Sequence, residues 1–197
     1  MTNTPYDLIA AWYDQQTRSL PLSEMLIFPY LPQLLDNIHS LSVCDLGCGQ
    51  GIVSRWLAKQ GAHVIGVDLS SALLNIAQQY EDNQPLNITY HQDDAASLAT
   101  LSDVFFDGLI RNLALMDMSN LQAVFNAVWR VLKSNGWFIF SLTHPCFQPP
   151  MLISNIWKMA QLTELLITIS KRDFSSPVIL KVFVGKLVLI IKPWQPI

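Results

Sequence analysis

A chain of 197 residues, half of them apolar, is long enough to bury one substantial core and corresponds to about one domain. Its net charge is −3 and no basic run is longer than Lys171-Arg172, so it offers no patch for a stable grip on nucleic acid. Cys44, Cys48 and Cys146 make no disulfide framework. Cys44 and Cys48 straddle a glycine loop at a spacing that fits no common zinc pattern, so reduced structural thiols and no metal are expected.

The stretch 1–12 has no basic leader region and carries Asp7 inside its apolar part, which argues against a secretory signal. The longest apolar tract, 178–191, is interrupted by Lys181, Gly185 and Lys186 and is shorter than the ~20 residues of a spanning helix. A cytoplasmic protein that makes no membrane contact is the expectation.

In chain order, residues 5–38 read as helical, with an apolar stripe through Leu31, Leu34, Leu35 and Ile38. Residues 43–46 form a strand that runs into a glycine loop. A helix over 52–60 follows, with Ile52, Val53, Trp56 and Leu57 on one face and Gly61 placed to end it. Residues 64–67 are a second strand, and Ser70 sits where an N-cap belongs before a helix that uses Leu73, Leu74 and Ala77. Residues 88–91 and 106–110 supply a third and a fourth strand. The helix 120–132 buries Leu121, Val124, Phe125, Val128 and Leu132, and Asn135-Gly136 turns the chain into a fifth strand, 137–142.

Strands alternating with helices imply parallel pairing and right-handed crossovers, hence an α/β three-layer sandwich with a mostly parallel sheet. Such sheets bind ligands in the crevice beyond the carboxyl ends of their strands. Beyond the fifth strand, 151–170 can supply a helix, and 178–184 with 187–191 can supply two strands around Gly185-Lys186.

Residues Val43-Cys44-Asp45-Leu46-Gly47-Cys48-Gly49-Gln50-Gly51 carry the strongest signal. Glycine at alternate positions permits positive φ and lets a ligand touch backbone that a side chain would cover. Asp45 before the loop favours a cationic ligand. The rival is a nicotinamide dinucleotide, but here the third glycine comes one residue too early for Gly-x-Gly-x-x-Gly, and a carboxylate sits where pyrophosphate would dock. Asp68 ends the second strand, where a carboxylate can accept both hydroxyls of a ribose; capping the next helix is its plainer role. Leu69 would then face an adenine ring. Asp94, preferred here to Asp93, could accept the exocyclic amine of adenine, and either could instead cap the turn that follows.

These residues resemble the class I S-adenosylmethionine (SAM)-dependent methyltransferase family, in its small-molecule, methyltransferase-11-like branch. The likeness covers residues 6–147. It rests on Asp45 to Gly51, Asp68 and Asp94, and continues through Phe106-Asp107-Gly108-Leu109-Ile110 and Leu132-Lys133-Ser134-Asn135-Gly136-Trp137. It implies a Rossmann-like fold and SAM as cofactor. Gly47, Gly49 and Gly51, with Cys48 between them, line its methionine part; Asp68 holds the ribose; and Asp94 with Ala95 frames the adenine. Asn112 and Leu113 lie near the reactive methyl, and Tyr13, of the pair Tyr13-Asp14, helps to close over the cofactor.

The expected organisation is a helical cap over 1–40, a SAM-binding core over 41–147 and an atypical segment over 148–197. The glycine-aromatic turn expected before the last hairpin is missing, so that hairpin and the substrate lid are expected to be incomplete or diverged, leaving an edge open to self-association. The expected reaction is transfer of a methyl group to a small-molecule acceptor by in-line displacement. If a base is used, His144 after the fifth strand and Asp117 after the fourth are the candidates. Trp12, Tyr13, Trp137 and Phe147 are candidates for an apolar acceptor pocket. Two alternatives stay open: a SAM-binding protein with little turnover, and a nucleotide-dependent oxidoreductase, which the glycine spacing disfavours.

Overall fold

The computed structural model describes residues 4–19, 28–35, 37–113, 118, 120–143, 178–183 and 186–191. Five strands run parallel: β1 (Ser42–Leu46), β2 (His63–Asp68), β3 (Thr89–Gln92), β4 (Phe106–Asn112) and β5 (Leu132–Thr143). Two more, β6 (Val178–Phe183) and β7 (Lys186–Ile191), join antiparallel, giving the order β3-β2-β1-β4-β5-β7-β6. The helices among the described residues are α1 (Pro5–Ser19), α2 (Leu31–Leu34), α3 (Ile52–Lys59), α4 (Ser71–Asn83) and α5 (Leu121–Val131). The strand order reverses between β1 and β4. A crevice opens at that switch point, beyond the carboxyl ends of the strands.

Side chains alternate across the pleat, so each central strand feeds two cores. Cys44, Leu46, Leu109, Phe138 and Phe140 point to the face covered by α5, where Phe125 meets Phe138 and Phe140 edge-on at 5.6 and 5.8 Å. Val43, Ile110 and Ile139 point to the other face, with Leu31, Leu34, Val53 and Leu57 of α2 and α3. Both faces of β1 and β4 are covered, and this is why Val43, Cys44 and Leu46, like Leu109 and Ile110, are buried whichever way they point. Truncating Phe125, which is fully buried, would cost about 3–5 kcal/mol.

The expected cap at Ser70 forms: its Oγ accepts from Leu73 N–H at 3.2 Å. Asn120, read as the first helical residue, proves to be a cap instead, its Oδ1 accepting from Ala123 N–H at 3.1 Å. Three further expectations change. Within 5–38 the described residues form α1 and the four-residue α2, with a turn over 28–30 and no helix over 37–38, and Leu31, Leu34, Leu35 and Ile38 are all core residues. Asn135-Gly136 does not turn into a strand. β5 starts at Leu132, and its register against β4 jumps from Phe106↔Leu132 to Gly108↔Trp137, so residues 133–136 form an irregularity inside a longer strand. The C-terminal hairpin does form: β7 pairs with β5 from Phe138↔Ile191 to Thr143↔Lys186, so the expected shortfall does not reach the sheet. The helix expected over 151–170 lies outside the described residues. No helix among the described residues is long and apolar enough to cross a membrane.

Candidate functional site

The loop after β1 is pinned from below. Val67 O accepts from the N–H groups of Gly47 and Cys48 at 2.7 and 3.0 Å, and Cys48 O accepts from Gly51 N–H at 2.9 Å. Gly47, Gly49 and Gly51 all take positive φ, at 70°, 56° and 82°, so each is needed for backbone conformation. Their surroundings differ. A Cβ on Gly47 would collide with the Arg111 guanidinium, and one on Gly51 with the Tyr90 hydroxyl. A Cβ on Gly49 would meet nothing nearer than Leu73 Cδ1 at 4.0 Å. The open face of the loop is therefore at Gly49; at Gly47 and Gly51 the space is already filled by the protein.

Asp68 holds this loop to the next strand end. Its Oδ2 accepts from Gly49 N–H and its Oδ1 from Ser70 N–H, both at 2.8 Å. Asp45 lies beneath the loop at 1% exposure, and its Oδ2 accepts from Ser54 Oγ at 2.6 Å. Burial pushes its carboxyl up to about 6; the bonds from Ser54 pull it down and Asp68 adds to the rise. Asp45 therefore bears on the crevice through its field. Cys48 and Cys44 are buried free thiols, and burial pushes both well above the usual thiol range, so they are inert packing groups.

After β3, Asp93 is consumed by its own turn, accepting from Asp94 N–H and from the N–H and hydroxyl of Thr100, each at 2.7 Å. Asp94 is exposed and accepts from Ala96 N–H at 2.8 Å, while Ala95 is buried beside it. Leu69 is half-buried, and its carbonyl accepts from Gln92 Nε2 at 3.1 Å.

At the end of β4, Asn112 Oδ1 accepts from Ser141 Oγ at 2.7 Å, and Ser141 Oγ accepts from Leu113 N–H at 3.0 Å. Leu113 has φ 54°, a conformation rarely held by a leucine. A narrow crevice there is walled by Tyr30, Leu31, Leu34 and Ile139, with Arg111, Asn112 and Ser141 as its polar lining.

α1 reaches the site through polar contacts with α4 and the loop. Asp7 Oδ1 accepts from Ser70 Oγ at 2.7 Å and from Ala72 N–H at 3.1 Å. Buried Asp14 accepts from Tyr80 OH at 3.1 Å and pairs with Arg18. Gln50 Nε2, in the loop itself, donates to Thr17 Oγ1. Tyr13 stands one helical turn before Thr17, on the same side of α1, with its ring edge-on to Tyr6 at 5.5 Å. Trp12 is 58% exposed, and Trp137 packs across Gly108 in the core, so neither walls the crevice.

His144, Asp117, Phe147 and Cys146 lie outside the described residues. Among the described residues no group of three potential metal ligands comes together. The reading of the sequence missed Arg111, Ser54 and Gln50. Only Arg111 carried a signal: a charge directly after the apolar pair Leu109-Ile110 near the end of a central strand.

The sheet order and the cradle at its switch point define a Rossmann-like, cofactor-binding α/β protein. Residues 44–140 match the family described as methyltransferase domain. Over 132 residues, 66% of the chain, it is 30% identical to the ubiquinone biosynthesis O-methyltransferase of Nitrosomonas europaea, and the match takes in 56% of that protein. The chain thus spans little more than half the length of the curated relatives it matches. A SAM-dependent methyltransferase from Aquifex aeolicus has the same fold, with a TM-score of 0.72 at 15% identity, over 91% of this chain and 98% of that one. So does the phosphoethanolamine N-methyltransferase 2 of Haemonchus contortus, solved with phosphomonomethylethanolamine and S-adenosylhomocysteine (TM-score 0.64, 16% identity, 85% and 52% covered). Residues 44–140 thus match a methyltransferase domain, and the fold is that of solved methyltransferases that depend on SAM. The cradle suits that cofactor: backbone is open at Gly49, and the carboxylates of Asp45 and Asp68 flank it.

Proposed function

We propose that this chain transfers a methyl group from SAM to a small-molecule acceptor. The observation that carries the reading is the open backbone at Gly49, held by Asp68 on one side and with buried Asp45 beneath the loop. In this reading Gly47 to Gly51 line the methionine part, Asp68 accepts the ribose hydroxyls, Leu69 faces the adenine, and Asp94 with Ala95 frames it. Asn112 and Leu113 lie next to the reacting methyl, and Tyr13 on α1 closes the crevice.

The cofactor supplies an electrophilic methyl on a cationic sulfur that is already a good leaving group. The protein's task is then to align an acceptor and to exclude water, and alignment alone can be worth ~7–11 kcal/mol. Asn112 and Ser141 would orient a polar acceptor atom at the mouth of the apolar crevice. His144 and Asp117 remain the candidate bases for an acceptor that arrives protonated. The likeness to an O-methyltransferase makes hydroxyl acceptors the first class to assay, with amines second.

Calorimetry with SAM, S-adenosylhomocysteine and NADH tests the cofactor site. Binding of the first two without the third is expected. Labelled SAM then reports transfer to a panel of hydroxyl- and amine-bearing small molecules. Binding with no transfer to any of them would favour a cofactor-binding protein without turnover.

A further inference from the structure

Helix α1 is inverted relative to an ordinary surface helix, whose apolar stripe faces the core. Of its residues only Ala10 and Asp14 are buried. Its inner side is polar and engaged: Asp7 accepts from Ser70 and Ala72, Asp14 from Tyr80, and Thr17 from Gln50. Its large apolar side chains point outward, Leu8 at 88% exposure, Trp12 at 58% and Ile9 at 41%. The helix cannot roll over to bury them without breaking those bonds. Single exposed apolar residues are ordinary, but three within two turns of one helix form a patch of the kind that marks a binding surface.

We propose that this face of α1 seats a second copy of the chain, α1 against α1 across a two-fold axis. Charge favours that occupant. Among the exposed residues of α1 only Arg18 is charged, and it pairs with Asp14 of its own helix. A two-fold axis sets a surface against itself, which a face of one charge resists and a neutral face accepts. A lipid surface would call for several lysines and arginines along the helix, and α1 has one. The spacing is also self-complementary. Leu8 and Trp12 lie one turn apart, so an antiparallel pair that crosses midway between them sets Leu8 against the partner's Trp12, and the reverse. The exposed Ala11 beside them lets the two helices approach closely. The 15 residues of α1 offer a face about 22 Å long and about 10 Å wide. One pair of such faces falls short of the ~1,200 Å² at which stable interfaces begin, so the dimer is reversible.

Sedimentation velocity on the full chain, from roughly 1 to 200 μM, should show monomer passing into dimer. Leu8→Glu and Trp12→Glu each place a carboxylate in the seam and should weaken the dimer by about tenfold or more, with the melting temperature unchanged because both side chains are exposed. A chain that stays monomeric over the whole range overturns the proposal without need of a variant. A dimer that persists in both variants overturns it too, since the contact then lies elsewhere, such as the β6 edge of the sheet. The chain should not pellet with phosphatidylcholine vesicles. Pelleting that Trp12→Glu abolishes would make a lipid surface the occupant and remove the second copy.

Discussion

The backbone N–H of Gly49 donates to Asp68 Oδ2 at 2.8 Å, tying the apex of the glycine loop to the end of β2. The second oxygen of the same carboxylate holds Ser70, the N-cap of α4. Asp68 thus organises the glycine loop and the start of α4 together, beside the ribose role proposed for it. Asp68→Ala is expected to weaken S-adenosylhomocysteine binding well beyond tenfold and to lower stability by about 1.5–3 kcal/mol. Asp68→Asn keeps one carbonyl acceptor and should recover much of the stability but little of the affinity. Calorimetry and thermal melts separate the two effects, and unchanged affinity in folded Asp68→Ala would reject the ribose role.

The glycines should not be interchangeable. Gly49→Ala meets open space and bears mainly left-handed strain, about 1–2 kcal/mol, so it should stay folded and lose cofactor affinity. Gly51→Ala adds a collision with the buried Tyr90 hydroxyl and should lose about 2–4 kcal/mol. Equal melting temperatures for the two variants would contradict this division.

Asp45 gives a pH dependence with a definite sign. Its folded carboxyl, at about 6, lies above the ordinary value of 3.8, so between these the folded chain holds more protons than the unfolded one. Its contribution to stability is greatest below pH 4 and is lost as pH rises towards 6. A dicationic stretch of ligand favours the ionised form, so SAM affinity should rise through the same window, by at most about tenfold per pH unit, and level off above it. Asp45→Asn should flatten both curves, and a variant that tracks the wild type in titrations from pH 4.5 to 8 would remove Asp45 from the account.

Asp7 has the opposite sign. The Ser70 hydroxyl, with the N–H groups of Thr4 and Ala72, holds its carboxyl at about 2, so the docking of α1 that it supports is present above pH 4 and fades as pH falls towards 2. Asp7→Ala should speed amide hydrogen exchange along α1 at neutral pH and weaken cofactor binding severalfold. Exchange identical to the wild type would show that Asp14, Tyr80 and Gln50 hold the helix without it.

Much of the fold could be read from residues that act locally. Ser70 and Asn120 cap their helices because a short polar side chain reaches the free backbone N–H three residues ahead. The bulge at Asn135-Gly136 was read as a turn because nothing near it in sequence reports that β4 already pairs with Leu132. Arg111 was passed over for a similar reason: its partner surface is the bend at Gly47, which reaches it only across the β1–β4 pairing.

What the chain order of residues determined is the alternation of strands and helices, the acids near the ends of β1, β2 and β3 and the three glycines, since periodicity and φ preference are properties of neighbours along the chain. Only the tertiary structure decided that Asp45 faces Ser54 under the loop, that Asp68 holds Gly49, and that two of the three glycines make room for Arg111 and Tyr90. Side chains at strand ends meet whatever the adjacent parallel strand brings, and that neighbour comes from a distant part of the chain.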